Sequence, residues 1–297
     1  MYGFENTKET PEMIRKNCED GILREIFRGA NTAQIKGNFG FVQATVTTAA
    51  IVLDTHPETQ EMIDWIFAQS KSDGETYNTG GGVNTQLVSF VSRDGQGNES
   101  APGYNKIWIT DLSDAASKLA GYEKYDGINL YEHPKYLRMI KSYPELTIVR
   151  RGVPPIGDSS SAANYSKLPN DDAVMINAFA KTGDVQIAQH FYKMSDADFS
   201  TIHYDIFTKN PESLRDDIKA IVDVYGEYNY DKSSMLTGYG FGALRSGTRY
   251  NSVGADVIRD TQRDFWMYFG GAVSHSNYDK LNLGIESYGI PFTTDLG

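Results

Sequence analysis

The residues best equipped for chemistry crowd into one stretch near the end of the chain. Ser274-His275-Ser276-Asn277-Tyr278-Asp279-Lys280-Leu281-Asn282-Leu283-Gly284 packs a histidine, two asparagines, an aspartate and a lysine into eleven residues. Imidazole changes charge near neutral pH, which suits it to proton transfer. Leu281, Leu283 and Ile285 alternate with Asn282, Gly284 and Glu286, the period of a half-buried strand. Residues two apart on a strand share a face. A strand that begins early enough would therefore project His275, Asn277 and Asp279 as one polar row at the mouth of a sheet. The same residues would equally suit a β-hairpin entry whose turn they hydrogen-bond.

Helices must come first and strands last to carry that stretch. Thr10-Pro11 is a cap followed by a first-turn proline, and Ile14, Cys18, Ile22, Ile26 and Phe27 recur at helical spacing. Gly21 weakens the middle of that helix and Gly29 ends it. Residues 41–53 are apolar or small nearly all round, as in a helix buried on most sides. Thr55-His56-Pro57-Glu58 has the form of a capping box, and Met62, Ile63, Ile66 and Phe67 stripe the next helix, which makes a helical hairpin. Gly80-Gly81-Gly82 ends a loop and, with no Lys-Ser/Thr after it, is not a phosphate cradle. Tyr104, Ile107, Trp108, Leu112, Ala115, Ala116 and Leu119 share one helical face up to Gly121. Further helices are expected at 134–142, 174–180, 185–194 and 213–225, with a long irregular segment over 143–172. After Tyr230, short aromatic segments flanked by glycine read as strands. The order predicts an α+β chain with a helical domain over 1–232 and a strand domain over 233–297.

Composition narrows the function. The chain has 297 residues with 40% hydrophobic and 23% charged, ordinary for a globular protein. Its net charge of −11 argues against nucleic acid or an anionic membrane as partner. An anionic substrate would need a local exception to that charge. Cys18 is the only cysteine, which excludes an intramolecular disulfide and a cysteine-based zinc cluster.

The 275–297 region resembles the sheet-domain signature of heparinase II/III-like polysaccharide lyases. That signature is a His-x-His-x-Asp-x-Leu-Asn run followed by a Pro-Asp-Leu-Gly-like turn. This chain carries His275, Asp279, Leu281 and Asn282 of the run and Asp295-Leu296-Gly297 of the turn, with Asn277 where the family usually has a second histidine. Three more stretches resemble family segments in the same order: Asn38-Phe39-Gly40 its Asn-His-Gly turn, Glu99-Ser100-Ala101-Pro102-Gly103-Tyr104-Asn105 its entry into a Tyr-His helix start, and Pro154-Pro155-Ile156-Gly157-Asp158 its proline-rich loop. The resemblance implies an (α/α) toroid of helical hairpins over 1–232 and the first strands of an antiparallel β-sandwich over 233–297. It also implies an internal fragment of a periplasmic or secreted parent.

The implied reaction is β-elimination of a uronic-acid polysaccharide, which needs the carboxylate neutralised, a base for the C5 proton and an acid for the departing C4 oxygen. Asn38 matches the neutraliser, Tyr104 the catalytic tyrosine and His275 the sheet-borne catalytic histidine. Asn38 would also suit a left-handed turn beside Gly37, and Tyr104 would also suit the core. Phe39 replaces a histidine helper, and Gln43, one turn on, could supply an amide. Asn105, Arg150, Arg245, Asn277 and Lys280 are candidate substrate contacts for an anionic chain, although each cation would also serve as salt-bridged surface. Asn277 and Asp295 match two ligands of the family's structural metal, the third lying beyond Gly297. An amide oxygen is a poor zinc ligand, so no tightly held zinc is expected. Two other functions compete. A toroid glycoside hydrolase would use paired carboxylates, for which Asp94, Glu99 and Asp158 are candidates without a paired motif. A non-catalytic carbohydrate-binding relative would explain Phe39 and Asn277.

Overall fold

The computed structural model describes residues 10–69, 81–148, 152–159, 172–195, 210–247, 261–271, 274–277, 280–288 and 290–293. Helices come first and an antiparallel sheet follows. Contacts divide the chain into two compact units, one of residues 1–86 and 114–129 and the other of 87–113 and 130–297. The secondary structure turns from helix to strand between Tyr225 and Ser234, inside the second unit.

In the first unit, α1 (Pro11–Cys18) is capped by Thr10, whose hydroxyl accepts from Met13 N at 3.3 Å. A π-helical turn, Glu19–Leu23, links it to α2 (Arg24–Asn31) around Gly21, where the apolar pattern was weakest. Helix α3 (Phe41–Leu53) buries Val42, Val46, Ala49, Ala50 and Leu53 and packs on α4 (Glu58–Phe67), which buries Met62, Ile63 and Ile66. The capping box expected at Thr55 does not form. Helix α4 starts at Glu58, too late for Thr55 to cap it, and the Thr59 hydroxyl accepts from Thr55 N at 2.9 Å instead. Helix α5 (Val83–Phe90), which the sequence pattern did not reveal, follows the glycines, and α6 (Pro102–Gly121) runs from one unit's residues into the other's.

In the second unit, α7 (Pro134–Leu146) runs past the expected 142 and through Pro144. Its buried Tyr136 and Tyr143 keep their hydroxyls bonded, to Ser113 Oγ and the Pro102 carbonyl, each at 2.8 Å. Helices α8 (Asp172–Thr182), α9 (Val185–Met194) and α10 (Pro211–Tyr225) complete the helical part, with α9 packed on both of the others. Strands β1 (Ser234–Leu236), β2 (Phe241–Ser246), β3 (Arg263–Tyr268), β4 (Leu283–Ser287) and β5 (Ile290–Pro291) form one antiparallel meander in sequence order. Its inner face buries Phe241, Ala243, Trp266 and Tyr268. Gly284 stands opposite Trp266, and a Cβ there would meet the indole at 1.8 Å, so only glycine lets that ring lie across β4.

Candidate active site

Three segments of the second unit converge on His275. Helix α6 begins at Pro102 and sets Tyr104 in its first turn. Asn105 braces the preceding turn: its side-chain amide donates to the Glu99 carbonyl at 2.9 Å, and its oxygen accepts from Glu99 N at 3.3 Å. Asn105 is therefore fully buried and its amide is engaged within the protein rather than turned outward. A 3₁₀ turn, Gly157–Ser159, is tied to the helix start because Gly103 N donates to Ser159 Oγ at 2.9 Å. The third segment is the β3–β4 connection, whose Ser274 pairs in parallel with Glu99 and accepts from Ser100 N at 3.0 Å.

His275 does not lie on a strand. Strand β4 begins only at Leu283, and His275 sits in a turn at φ 49°, so the polar row projecting from one strand face does not form. Tyr278 and Asp279 lie outside the described residues. A left-handed backbone at a non-glycine residue is strained and persists where surroundings hold it. Here both ends of His275 are held by Asp158. Asp158 N donates to the His275 carbonyl at 3.2 Å, and His275 Nδ1 bonds Asp158 Oδ2 at 3.0 Å. That approach needs Gly157, since a Cβ on it would stand 2.0 Å from the His275 carbonyl oxygen.

The Tyr104 ring lies flat on the His275 imidazole, with centroids 3.5 Å apart and planes within 10°. Both side chains are half-buried and Asp158 is exposed, so the pair is open to a ligand. A carboxylate on Nδ1 holds the proton there and leaves Nε2 with its lone pair, the form needed to accept a proton. Glu99 adds a second carboxyl. It is buried, its Oε1 accepts from Trp108 Nε1 at 3.3 Å, and Oε2 has no hydrogen-bond partner among the described residues. Burial raises its pKa, while the field of His275 and the Trp108 bond pull the other way.

Asn38 is an exposed residue of the first unit. Gln43 is fully buried, its oxygen accepting from Gly40 N and its amide donating to the Gly81 carbonyl, each at 3.0 Å, so it holds the start of α3. Arg245 donates to the carbonyls of Lys232, Glu145 and Thr147, and lines a cavity that neither Tyr104 nor His275 borders. Lys280 is exposed and Asn277 half-buried. Arg150 and Asp295 lie outside the described residues. The half-buried amide of Asn277 is a poor donor for zinc, and among the described residues no three His, Cys, Asp or Glu side chains are grouped to hold an ion. No helix among the described residues is long and apolar enough to cross a membrane. Asp158, the partner of His275, was legible only as one of three scattered carboxylates, because 117 residues separate the two. No protein-family model matches the chain, and a search of curated proteins gives no match.

Proposed function

We propose that the chain is a polysaccharide lyase that cleaves a uronic-acid glycan by β-elimination. The observation that carries this reading is the Tyr104–His275 stack with Asp158 on His275 Nδ1. A phenol and an oriented imidazole side by side are the acid and base the reaction needs. In the proposed step His275 Nε2 takes the C5 proton, the C4–C5 double bond forms, the C4–O bond breaks, and Tyr104 protonates the departing oxygen. Asp158 stabilises the imidazolium that results. The sequence resemblance gives Asn38 the neutralising role, and an Asn38→Ala variant with unchanged folding should lose turnover. The packed helix pairs α3–α4 and α9–α10 are proposed to belong to an (α/α) toroid, and the meander to a β-sandwich, on the same resemblance.

A second reading is favoured by one observation: Asp158 bonds His275, and the buried carboxyl of Glu99 feels the same ring. Two carboxyls around one site, one with a raised pKa, also suit a glycoside hydrolase. Incubation with heparan, alginate, hyaluronan and ulvan separates the two. Lysis gives new chain ends that absorb ultraviolet light through the C4–C5 double bond, whereas hydrolysis gives reducing ends without that absorbance.

A further inference from the structure

The second unit holds a cavity of about 640 Å³ among the end of α7, α9, the end of α10 and strands β1 and β2. That volume lies in the range of small-molecule sites. Tyr228 and Tyr230 stand on its wall with ring centroids 4.8 Å apart, and Tyr225 at its rim is 63% exposed. The rim is pinned by Gln189, whose amide donates to the carbonyls of Tyr225 and Gly226 at 3.1 and 2.9 Å.

The two carboxylates that line this cavity are paired elsewhere, and its two cations are not. Glu145 is held bidentately by Arg138 at 2.9 and 2.8 Å, and Glu227 is paired with Lys193, so both carboxylates are already neutralised. Arg245 and Lys232 have no such partner. The guanidinium donates to three backbone carbonyls and to Ser234 Oγ, and no carboxylate among the described residues lies within ion-pair distance. Beyond ion-pair distance, Asp264, its cross-strand neighbour on β3, acts on it most strongly, with Glu145 and Asp231 behind. The Nε–H of Arg245 is buried with no acceptor among the described residues. With its four other N–H groups bonded inside the protein and no exposed surface at Nε, Arg245 offers the cavity its charge rather than a free hydrogen-bond donor. Lys232 is exposed, with no ion pair among the described residues.

We propose that this cavity is a binding site for an acidic sugar, its carboxylate facing Arg245 and Lys232 and its ring against the tyrosine wall. Exposed Lys232, beside the Arg245 charge, selects the carboxylate, and aromatic rings pack against the apolar face of a pyranose. The choice of a uronate over other sugar acids rests on the lyase reading; the charge and the rings do not depend on it.

The test is glucuronate against glucose, which differ at C6, followed by the ring signal of Tyr228 on the cavity wall after isotope labelling of the tyrosines. Glucuronate should shift that signal to saturation, and glucose should bind at least tenfold more weakly. Lys232→Glu, on an exposed side chain, should weaken glucuronate at least tenfold, and Tyr225→Ala should weaken it severalfold. Tyr104→Phe should leave this binding unchanged. Equal binding of both sugars, no shift with glucuronate, no effect of Lys232→Glu, or loss of the shift in Tyr104→Phe would each overturn the proposal. A Tyr228 shift with no cleavage of any uronate polysaccharide removes the lyase reading and keeps the cavity, and polysaccharide cleavage without the Tyr228 shift does the reverse.

Discussion

His275 is held in its left-handed turn by bonds at both its backbone and its ring, and both run to Asp158. The two bonds give two separable expectations. Asp158→Asn keeps a side chain of the same shape but removes the charge that favours the imidazolium, so kcat should fall about tenfold to a hundredfold with Tm nearly unchanged. Gly157→Ala acts on the backbone instead. With its Cβ 2.0 Å from the His275 carbonyl and φ at 55°, the loop must move, at a cost of about 1–3 kcal/mol in a denaturant titration. Glu99 supplies a pH test. Burial raises its carboxyl above the ordinary 4.5, so the folded state holds its proton more tightly than the unfolded chain does. Its stabilising contribution is full below pH 4.5 and is lost as pH rises through the raised folded-state pKa. Glu99→Gln keeps an oxygen for Trp108 and cannot ionise. The variant should gain Tm relative to the parent as pH climbs through that window, and a constant difference across pH would contradict this account.

At the scale of the element, Gln43 is a joint rather than a ligand contact. Gln43→Ala would leave Gly40 N and the Gly81 carbonyl without their side-chain partner, costing about 1–3 kcal/mol by chemical denaturation. Most helices were legible in the sequence because their ends carry strong signals. Thr10-Pro11 caps as expected, and the structure adds caps at Asn210, which accepts from Ser213 N, and at Asp184, which accepts from the amides of Gln186 and Ile187. Helix α5 was not legible, since Val83-Asn84-Thr85-Gln86 has neither a cap nor a clear apolar stripe. The site was legible in part. Tyr104 came from the family resemblance, with its place in a helix start after Pro102 in support, and His275 from its crowded stretch as well as that resemblance. The start of β4 was misjudged because alternation cannot reveal that Leu281 adopts φ 72°, which breaks the strand before Leu283. The contact between His275 and Asp158 is a product of tertiary folding, and no local period encodes it.

On the scale of the whole chain, the net charge of −11 makes any anionic ligand depend on local cations, so added salt should weaken the Lys232 cavity more than it weakens folding. The sheet has a second feature of this scale. Its outer face exposes Met235, Leu244 and Phe265 at 61, 68 and 45%, an apolar surface uncovered among the described residues. The isolated chain should self-associate through that face, and Leu244→Lys should reduce the apparent mass in light scattering at high concentration. An unchanged mass would place the association elsewhere. The central claim is that Tyr104 moves a proton during β-elimination, and one substitution tests it most directly. Tyr104→Phe keeps the ring stacked on His275 and removes only the hydroxyl. With a uronate polysaccharide as substrate, the account predicts at least a hundredfold slower rise in ultraviolet absorbance, about 3 kcal/mol in the barrier, with Tm unchanged. An undiminished rise, or a loss that only follows a lowered Tm, would contradict it.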